Sequence, residues 1–256
     1  ILVILFGPIM GTIADFNAIK KKFLIFTSFI CILTTAFLYF PDKNTVVLAM
    51  ILVILSRACF SLTENFISSF LPEIATPKNM GKISGYAWAL GYIGGVISLL
   101  MCFAIITSTG EIIGVKLSMP ATALFFTLSA LPTFILLKER SNKKNLPKGK
   151  GYISASFLEL VKTFKNAKSN KNLLIFLLSF FFFSCGIEIV ISFSAIYAKK
   201  ELGFKIFELM ILIIGVNLLA SLGAFLFGFI QDKIGTKITI AITLIIWCIV
   251  IFGVFI

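Results

Sequence analysis

The chain has no histidine, and its 256 residues hold 11 acids against 23 lysines and arginines. Without imidazole the commonest general base and metal ligand is missing, and nothing resembling a nucleophile beside its base occurs anywhere in the sequence. The five cysteines (Cys31, Cys59, Cys102, Cys185, Cys248) stand singly in apolar runs with no CxxC spacing, so they read as small core residues and not as metal ligands. Gly81-Lys82 is the nearest approach to a phosphate loop. That loop needs GxxxxGK followed by Ser or Thr, whereas Thr76 stands at the leading glycine and Ile83 follows the lysine. There is no GxGxxG either. No enzyme, cofactor, metal or nucleic-acid partner is expected. The start lacks a Met and a charged n-region, unlike a signal peptide. Ile1 and Ile256 both fall inside apolar runs, which reads as a chain cut at both ends.

What the sequence does have is grease. It is 59% hydrophobic with 29 phenylalanines and a mean hydropathy of +1.07, well above the roughly 45–50% apolar content of a soluble domain. Eight apolar runs long enough to cross a bilayer core about 30 Å thick can be marked off, the first of them clipped. Sorting cations by inter-span loop gives 17 in one alternate set and five in the other, with Arg57 left inside a span. That bias places the cation-rich loops in the cytoplasm. The partner is therefore the lipid bilayer, and an inner (plasma) membrane is the expected location.

Two copies of one pattern lie on either side of a basic hinge. Gly7-x-x-x-Gly11-x-x-x-Asp15 precedes Lys20, Lys21 and Lys22, and Ala224-x-x-x-Gly228-x-x-x-Asp232 precedes Lys233 and Lys237, at a single offset of 217 residues. The chain accordingly reads as a bundle over 1–137, a linker over 138–172 and a second bundle begun over 173–256. In the linker Ile153, Phe157, Leu160, Val161 and Phe164 recur at helical spacing among lysines. This predicts an amphipathic helix, lying on the inner leaflet or solvated as a connector.

Ionisable groups inside spans are the candidate functional residues, because each costs roughly 2.5–3.5 kcal/mol at a helix centre. The third span carries Arg57, Glu64 and Asn65, with Ser61 on the same stripe. This stripe must face protein or water, as a structural ion pair or as a cavity wall contacting solute or ion. Glu188 is a lone acid in a later span, and Asn217 lies in the next. The run from Gly81 to Gly95 contains two GxxxG spacings, Gly81/Gly85 and Gly91/Gly95, with Gly94 beside the second, and both are expected to bring helices close. Trp88 within it reads as a helix-packing residue.

Gly228-x-x-x-Asp232-Lys233-x-Gly235-x-Lys237 resembles the loop signature of the major facilitator superfamily. Gly11-Thr-Ile-Ala-Asp15, Leu71-Pro72-Glu73-Ile74-Ala75 and the block from Gly85 through Gly91 to Gly94-Gly95 are similar to its UMF1 group, relatives of the autophagy-related vacuolar effluxers of fungi. The resemblance implies an all-α polytopic membrane protein with a major-facilitator-type two-bundle fold. It would be incomplete, about eight of twelve spans, running from helix two to helix nine. It implies that Asp15 and Asp232 with their cations act as cytoplasmic gates, Asp232 meeting the start of the span near Lys82 to Gly85. The first copy departs from the signature, reading Asp15-Phe16-Asn17-Ala18 where Gly and Arg are usual.

The expected function is secondary active transport of a small polar solute, with amino-acid efflux in view, coupled to protons by alternating access. Arg57 would bind a carboxylate, and Glu64 or Glu188 would carry the proton. The alternatives are export of drugs or lipophilic solutes, or a truncated membrane protein that does not transport.

Overall fold

The computed structural model describes residues 2–42, 44–141 and 151–253; several side chains inside helices, Ile153, Leu160 and Phe164 among them, also lie outside the described residues. The described chain is helical with no strand. Its elements are α1 (Leu2–Asn17), α2 (Lys20–Phe37), α3 (Val46–Ser68), α4 (Leu71–Ile74), α5 (Met80–Thr109), α6 (Glu111–Leu136), α7 (Tyr152–Ser169), α8 (Lys171–Lys200), α9 (Ile206–Ile234) and α10 (Thr236–Gly253). Large apolar side chains lie open along these helices, among them Ile4 (75% exposed), Leu136 (72%) and Phe182 (71%). In water such surface drives association; here lipid covers it. The protein is an all-α polytopic membrane protein.

Among the described residues six helices are long and apolar enough to cross a membrane, where the sequence suggests eight spans. The two that fall short are α1, with 16 residues, and α2, whose 18 residues begin with Lys20, Lys21 and Lys22. A second difference concerns α6: the sequence pattern predicts a polar loop from about Thr107 to Lys116 ahead of a span that begins near Leu117, whereas the helix starts at Glu111. Gly110, at φ +86°, both ends α5 and opens α6, so one residue makes the reversal that a polar loop had been expected to make. Gly114 keeps the hairpin tight, since a Cβ there would lie 2.5 Å from Ile106 Cα. Glu111 then sits in the first turn of α6, where the helix dipole favours an anion.

The chain forms two compact units. One comprises Ile1–Lys20 with Ser141–Ile214, the other Lys21–Arg140 with Gly215–Ile256. In the second, α2 and α3 are joined by hydroxyls. Thr63 donates to Thr27 Oγ1 at 2.9 Å, and the Thr35 and Ser56 hydroxyls share a hydrogen bond of 2.8 Å. Such bonds between membrane helices contribute about 0.6 kcal/mol each. Phe23 stacks on Phe66 at 5.5 Å alongside them.

Polar contacts at the two ends of this unit sort as the charge bias does. At one end the Lys21 N–H donates to Glu139 Oε2 (3.2 Å) and the Arg140 N–H to Glu73 Oε2 (2.9 Å), which ties the chain leaving α6 to α2 and to α4. Pro72, in the first turn of α4, needs no partner for a missing N–H. At the other end Lys116 pairs with Asp42. Every group in the first set belongs to the cation-rich loops, and both in the second to the sparse ones.

In the first unit α1 packs on α7, and α7 leads into α8. Helix α7 lies within the 138–172 stretch. The α1–α2 turn closes with the Ile19 N–H on the Ala14 carbonyl at 3.0 Å while Ala18 sits at φ +52°. This is a left-handed cap in which glycine is the comfortable residue. The 217-residue offset carries Ala18 onto Gly235, whose φ is +86°. The two turns have the same design, and the first bears a Cβ penalty of roughly 1–2 kcal/mol. Ala18→Gly is expected to raise the midpoint of thermal unfolding in detergent by a few degrees; an unchanged or lower midpoint would show that the turn is not strained.

Candidate functional site

Helix α5 begins without a cap of its own. Asn79 stands at the N-cap, but its Oδ1 is taken by the Thr76 N–H (2.7 Å) and hydroxyl (2.9 Å). The first-turn N–H groups therefore need another acceptor, and Asp232, near the end of α9, provides it. Its Oδ1 accepts from the Gly81 N–H at 2.9 Å and its Oδ2 from the Lys82 N–H at 2.8 Å. A carboxylate against a helix N-terminus gains from both the hydrogen bonds and the dipole.

The carboxylate reaches that far because the two helices touch through glycine. A Cβ at Gly81 would lie 2.9 Å from the Gly228 carbonyl oxygen, and one at Gly85 2.5 Å from that of Ala224 and 2.9 Å from Gly228 Cα. Further along, Ser221 donates to the Ala89 carbonyl at 3.0 Å, and Asn217 Oδ1 lies 3.6 Å from where a Cβ of Gly95 would be. Aromatic rings close the polar end: Tyr86 stacks on Phe225 at 5.5 Å, and Lys82 Nζ lies 5.1 Å from the Phe229 centroid and 5.7 Å from that of Tyr86. This lysine works twice, through its backbone N–H and as a cation over two rings.

The remaining glycines do not behave as their spacing suggests. A Cβ built at Gly11, Gly91 or Gly94 meets nothing within 4 Å outside its own helix backbone, so no described helix crosses closely there. Trp88, read from the sequence as a helix-packing residue, faces a groove. It is 54% exposed, 6.0 Å from the Tyr92 ring of its own helix, and lines a groove of about 430 Å³ with Phe227, Gln231 and Trp247.

Arg57 lies on α3 at a second cavity, of about 390 Å³, between α2, α3 and α6. Cys31, Thr35, Ser56 and Thr122 supply its polar atoms, and Leu38, Val53, Phe60 and Phe126 its apolar wall. The guanidinium carbon is 5.7 Å from the Phe60 centroid. Ser56 holds Thr35 at 2.8 Å and Cys31 Sγ at 3.7 Å. A fixed cation beside hydroxyls and an apolar wall suits a small carboxylate-bearing solute. Sequence reasoning missed these hydroxyls, since an isolated Ser or Thr in an apolar run bonds its own i−4 carbonyl as readily as it faces a cavity.

Glu64, half-buried, and Asn65, exposed, lie farther along α3 and do not line this cavity. Asp15 pairs with Lys20 across its own turn, Oδ1 to Nζ at 3.4 Å, with its side chain 52% exposed. Glu188 is exposed on α8, and Lys233 and Lys237 are exposed on either side of the Gly235 turn. Glu73 is held at the Arg140 backbone, as described above. Among the described residues no cluster of His, Cys, Asp and Glu could hold a metal.

A sequence model of the family described as "Vacuole effluxer Atg22 like" matches residues 1–255. The chain is 29% identical over 248 residues to "Uncharacterized MFS-type transporter YxiO" of Bacillus subtilis (strain 168), covering 95% of this chain and 58% of that protein. It is 24% identical over 314 residues to "Autophagy-related protein 22-1" of Penicillium rubens, covering 95% of this chain and 52% of that one. The chain thus spans about half the length of the curated relatives it matches. No solved structure matches.

Proposed function

This chain belongs to the Atg22-like vacuole effluxer family, and on that premise we propose that it acts as part of a proton-coupled secondary transporter that exports a small polar solute, an amino acid being the best fit. The observation that carries this reading is the Arg57 cavity. The Arg57 guanidinium is permanently charged inside a membrane span, and with the Thr35, Ser56 and Thr122 hydroxyls beside it the cavity has the donors that a carboxylate anion takes. Glu64 and Glu188 are the candidate proton carriers. Asp232 with Gly81, Lys82 and the cations after it forms the cytoplasmic gate, and Asp15 with Lys20 and Lys21 its weaker counterpart. In this reading the bundles over 1–137 and 173–256 rock about a central path, and the membrane is the plasma membrane, as for a bacterial transporter, with the 138–172 linker inside.

The test is flux of labelled amino acids in proteoliposomes with and without an imposed pH gradient. Saturable, gradient-dependent flux is expected. Arg57→Gln should lower it about 10- to 100-fold, the loss expected of a charge-assisted hydrogen bond of roughly 1.5–3 kcal/mol. Glu188→Gln should abolish the response to the gradient. Full transport by Arg57→Gln sinks the carboxylate assignment. A second reading, export of a lipophilic solute, is favoured by the apolar wall of Leu38, Val53, Phe60 and Phe126; there, lipophilic compounds lacking a carboxylate would be carried and Arg57→Gln would not matter.

A further inference from the structure

Helix α7 packs on α1 and buries Ala155 to 2% exposure. At 100° per residue, Phe157 and Val161 project about 200° and 240° around the helix from Ala155, on the opposite side, and they are 61% and 49% exposed. The linker helix thus docks by a small residue and turns large apolar side chains away from its docking helix. A single residue, Asn170, separates α7 from α8; its Oδ1 accepts from the Leu173 N–H at 3.2 Å and so caps the span. The end of α7 is therefore held where a membrane helix begins. Lys162, Lys165 and Lys171 are exposed along and just after it.

We propose that α7 is an in-plane lipid-binding helix, with Phe157 and Val161 inserted at the headgroup–acyl boundary and its lysines on anionic phospholipid headgroups. Apolar side chains on one face with a lysine beside them, Lys165 at about 280° on the same wheel, are what an interfacial helix requires, and the one-residue junction with α8 leaves the bilayer surface as the nearest cover for that face. The lysines select the lipid, because a basic residue near an anionic surface gains about 1 kcal/mol, about fivefold in partition each. The assignment is independent of the transported solute.

The test uses the full chain in nanodiscs of phosphatidylcholine alone or enriched in phosphatidylglycerol. A fluorophore on Phe157→Cys, with the native cysteines replaced, should be quenched by brominated acyl chains in the anionic discs; one on Thr163→Cys should not. Lys165→Gln should lower the preference for anionic discs about fivefold, and Lys162→Gln, about 340° round the wheel and so on the docking side, should change it less. Because replacing the cysteines could itself disturb folding, the unaltered chain supplies a second readout: trypsin should cut after Lys162 and Lys165 several-fold more slowly in anionic discs. Equal cutting in both lipids, or a Phe157 label shielded from water but untouched by brominated lipid, overturns the proposal, the latter in favour of a protein partner on the same face.

Discussion

Gly85→Ala is expected to pry α5 from α9 and to lower the midpoint of thermal unfolding by on the order of 10 °C. The added Cβ would fall 2.5 Å from the Ala224 carbonyl oxygen and 2.9 Å from Gly228 Cα. Both are backbone atoms, so no rotamer change relieves the clash and the helices themselves must separate. Overpacking of this kind costs about 1–3 kcal/mol, and the backbone contact puts Gly85 at the upper end, with roughly 2–4 °C lost per kcal/mol for a chain of this size. Separation would also pull Asp232 from Gly81 and Lys82 and Ser221 from Ala89, since those bonds span the same crossing. Gly228→Ala meets the Gly81 carbonyl oxygen at 2.8 Å and Gly85 Cα at 3.1 Å. The double substitution should then cost less than the sum, because helices already apart have no clash left to make. Gly91→Ala is the internal control. Nothing lies within 4 Å of its Cβ, and alanine favours a helix over glycine by about 1 kcal/mol, so it should be neutral or stabilising. Trp88 and Trp247 both line the neighbouring groove and report the transition by intrinsic fluorescence. If Gly85→Ala melts with the unaltered protein, the crossing is not as close as described.

The contrast between Gly85 and Gly91 also shows where sequence reasoning stops. Both stand in GxxxG spacings on one helix, six residues apart, and spacing alone cannot tell them apart. What distinguishes them is the partner: Gly81 and Gly85 oppose Ala224 and Gly228 on α9, while Gly91 opposes nothing described. The helices themselves were legible because an apolar run has few alternatives in lipid, where every backbone group must be bonded within its own segment. Their ends were less so. One glycine at φ +86° did the work assigned to a ten-residue loop before α6, and that work is invisible to hydropathy. The repeat was read from three positions in each half, yet it extends to the αL residues of both turns, Ala18 and Gly235; the alanine hid the first, since a left-handed residue is usually betrayed by being glycine. Arg57 was legible as a charge out of place. Its neighbours Thr35, Ser56 and Thr122 come from three helices and acquire meaning only when those helices assemble.

Asp232→Asn should open the Gly81–Lys82 end of the α5–α9 contact by about 100-fold, while Asp15→Asn should barely change it. The asymmetry follows from what each carboxylate holds. Asp232 receives two N–H groups that no local side chain caps, at 2.9 and 2.8 Å. An amide keeps one acceptor but turns an NH₂ toward the second donor, so one bond is lost, a donor faces a donor, and the charge opposing the helix dipole disappears. A hydrogen bond to a charged group contributes about 1.5–3 kcal/mol and the dipole about 0.3–1. A total near 3 kcal/mol corresponds to roughly two powers of ten. Among the described residues Asp15 pairs with a lysine across its own turn and is 52% exposed, a surface pair of about 0–1 kcal/mol. Since the Lys82 donor is a backbone group, a side-chain change there leaves it in place, whereas any Cβ at Gly81 would meet Asp232 Oδ1 at 2.6 Å and displace the carboxylate. Lys82→Met, which leaves the backbone bond intact and removes only the cation above Tyr86 and Phe229, should fall between the two, at about 1 kcal/mol or a little less. The opening is read as the rate at which a membrane-impermeant maleimide modifies Ser84→Cys, a residue that lines the groove beside the crossing. Rates in the order Asp232→Asn, Lys82→Met, Asp15→Asn support a latch held by the carboxylate; equal rates for the two aspartate variants would mean that the two copies of the motif carry the same load and that the cap on α5 does not set the gate.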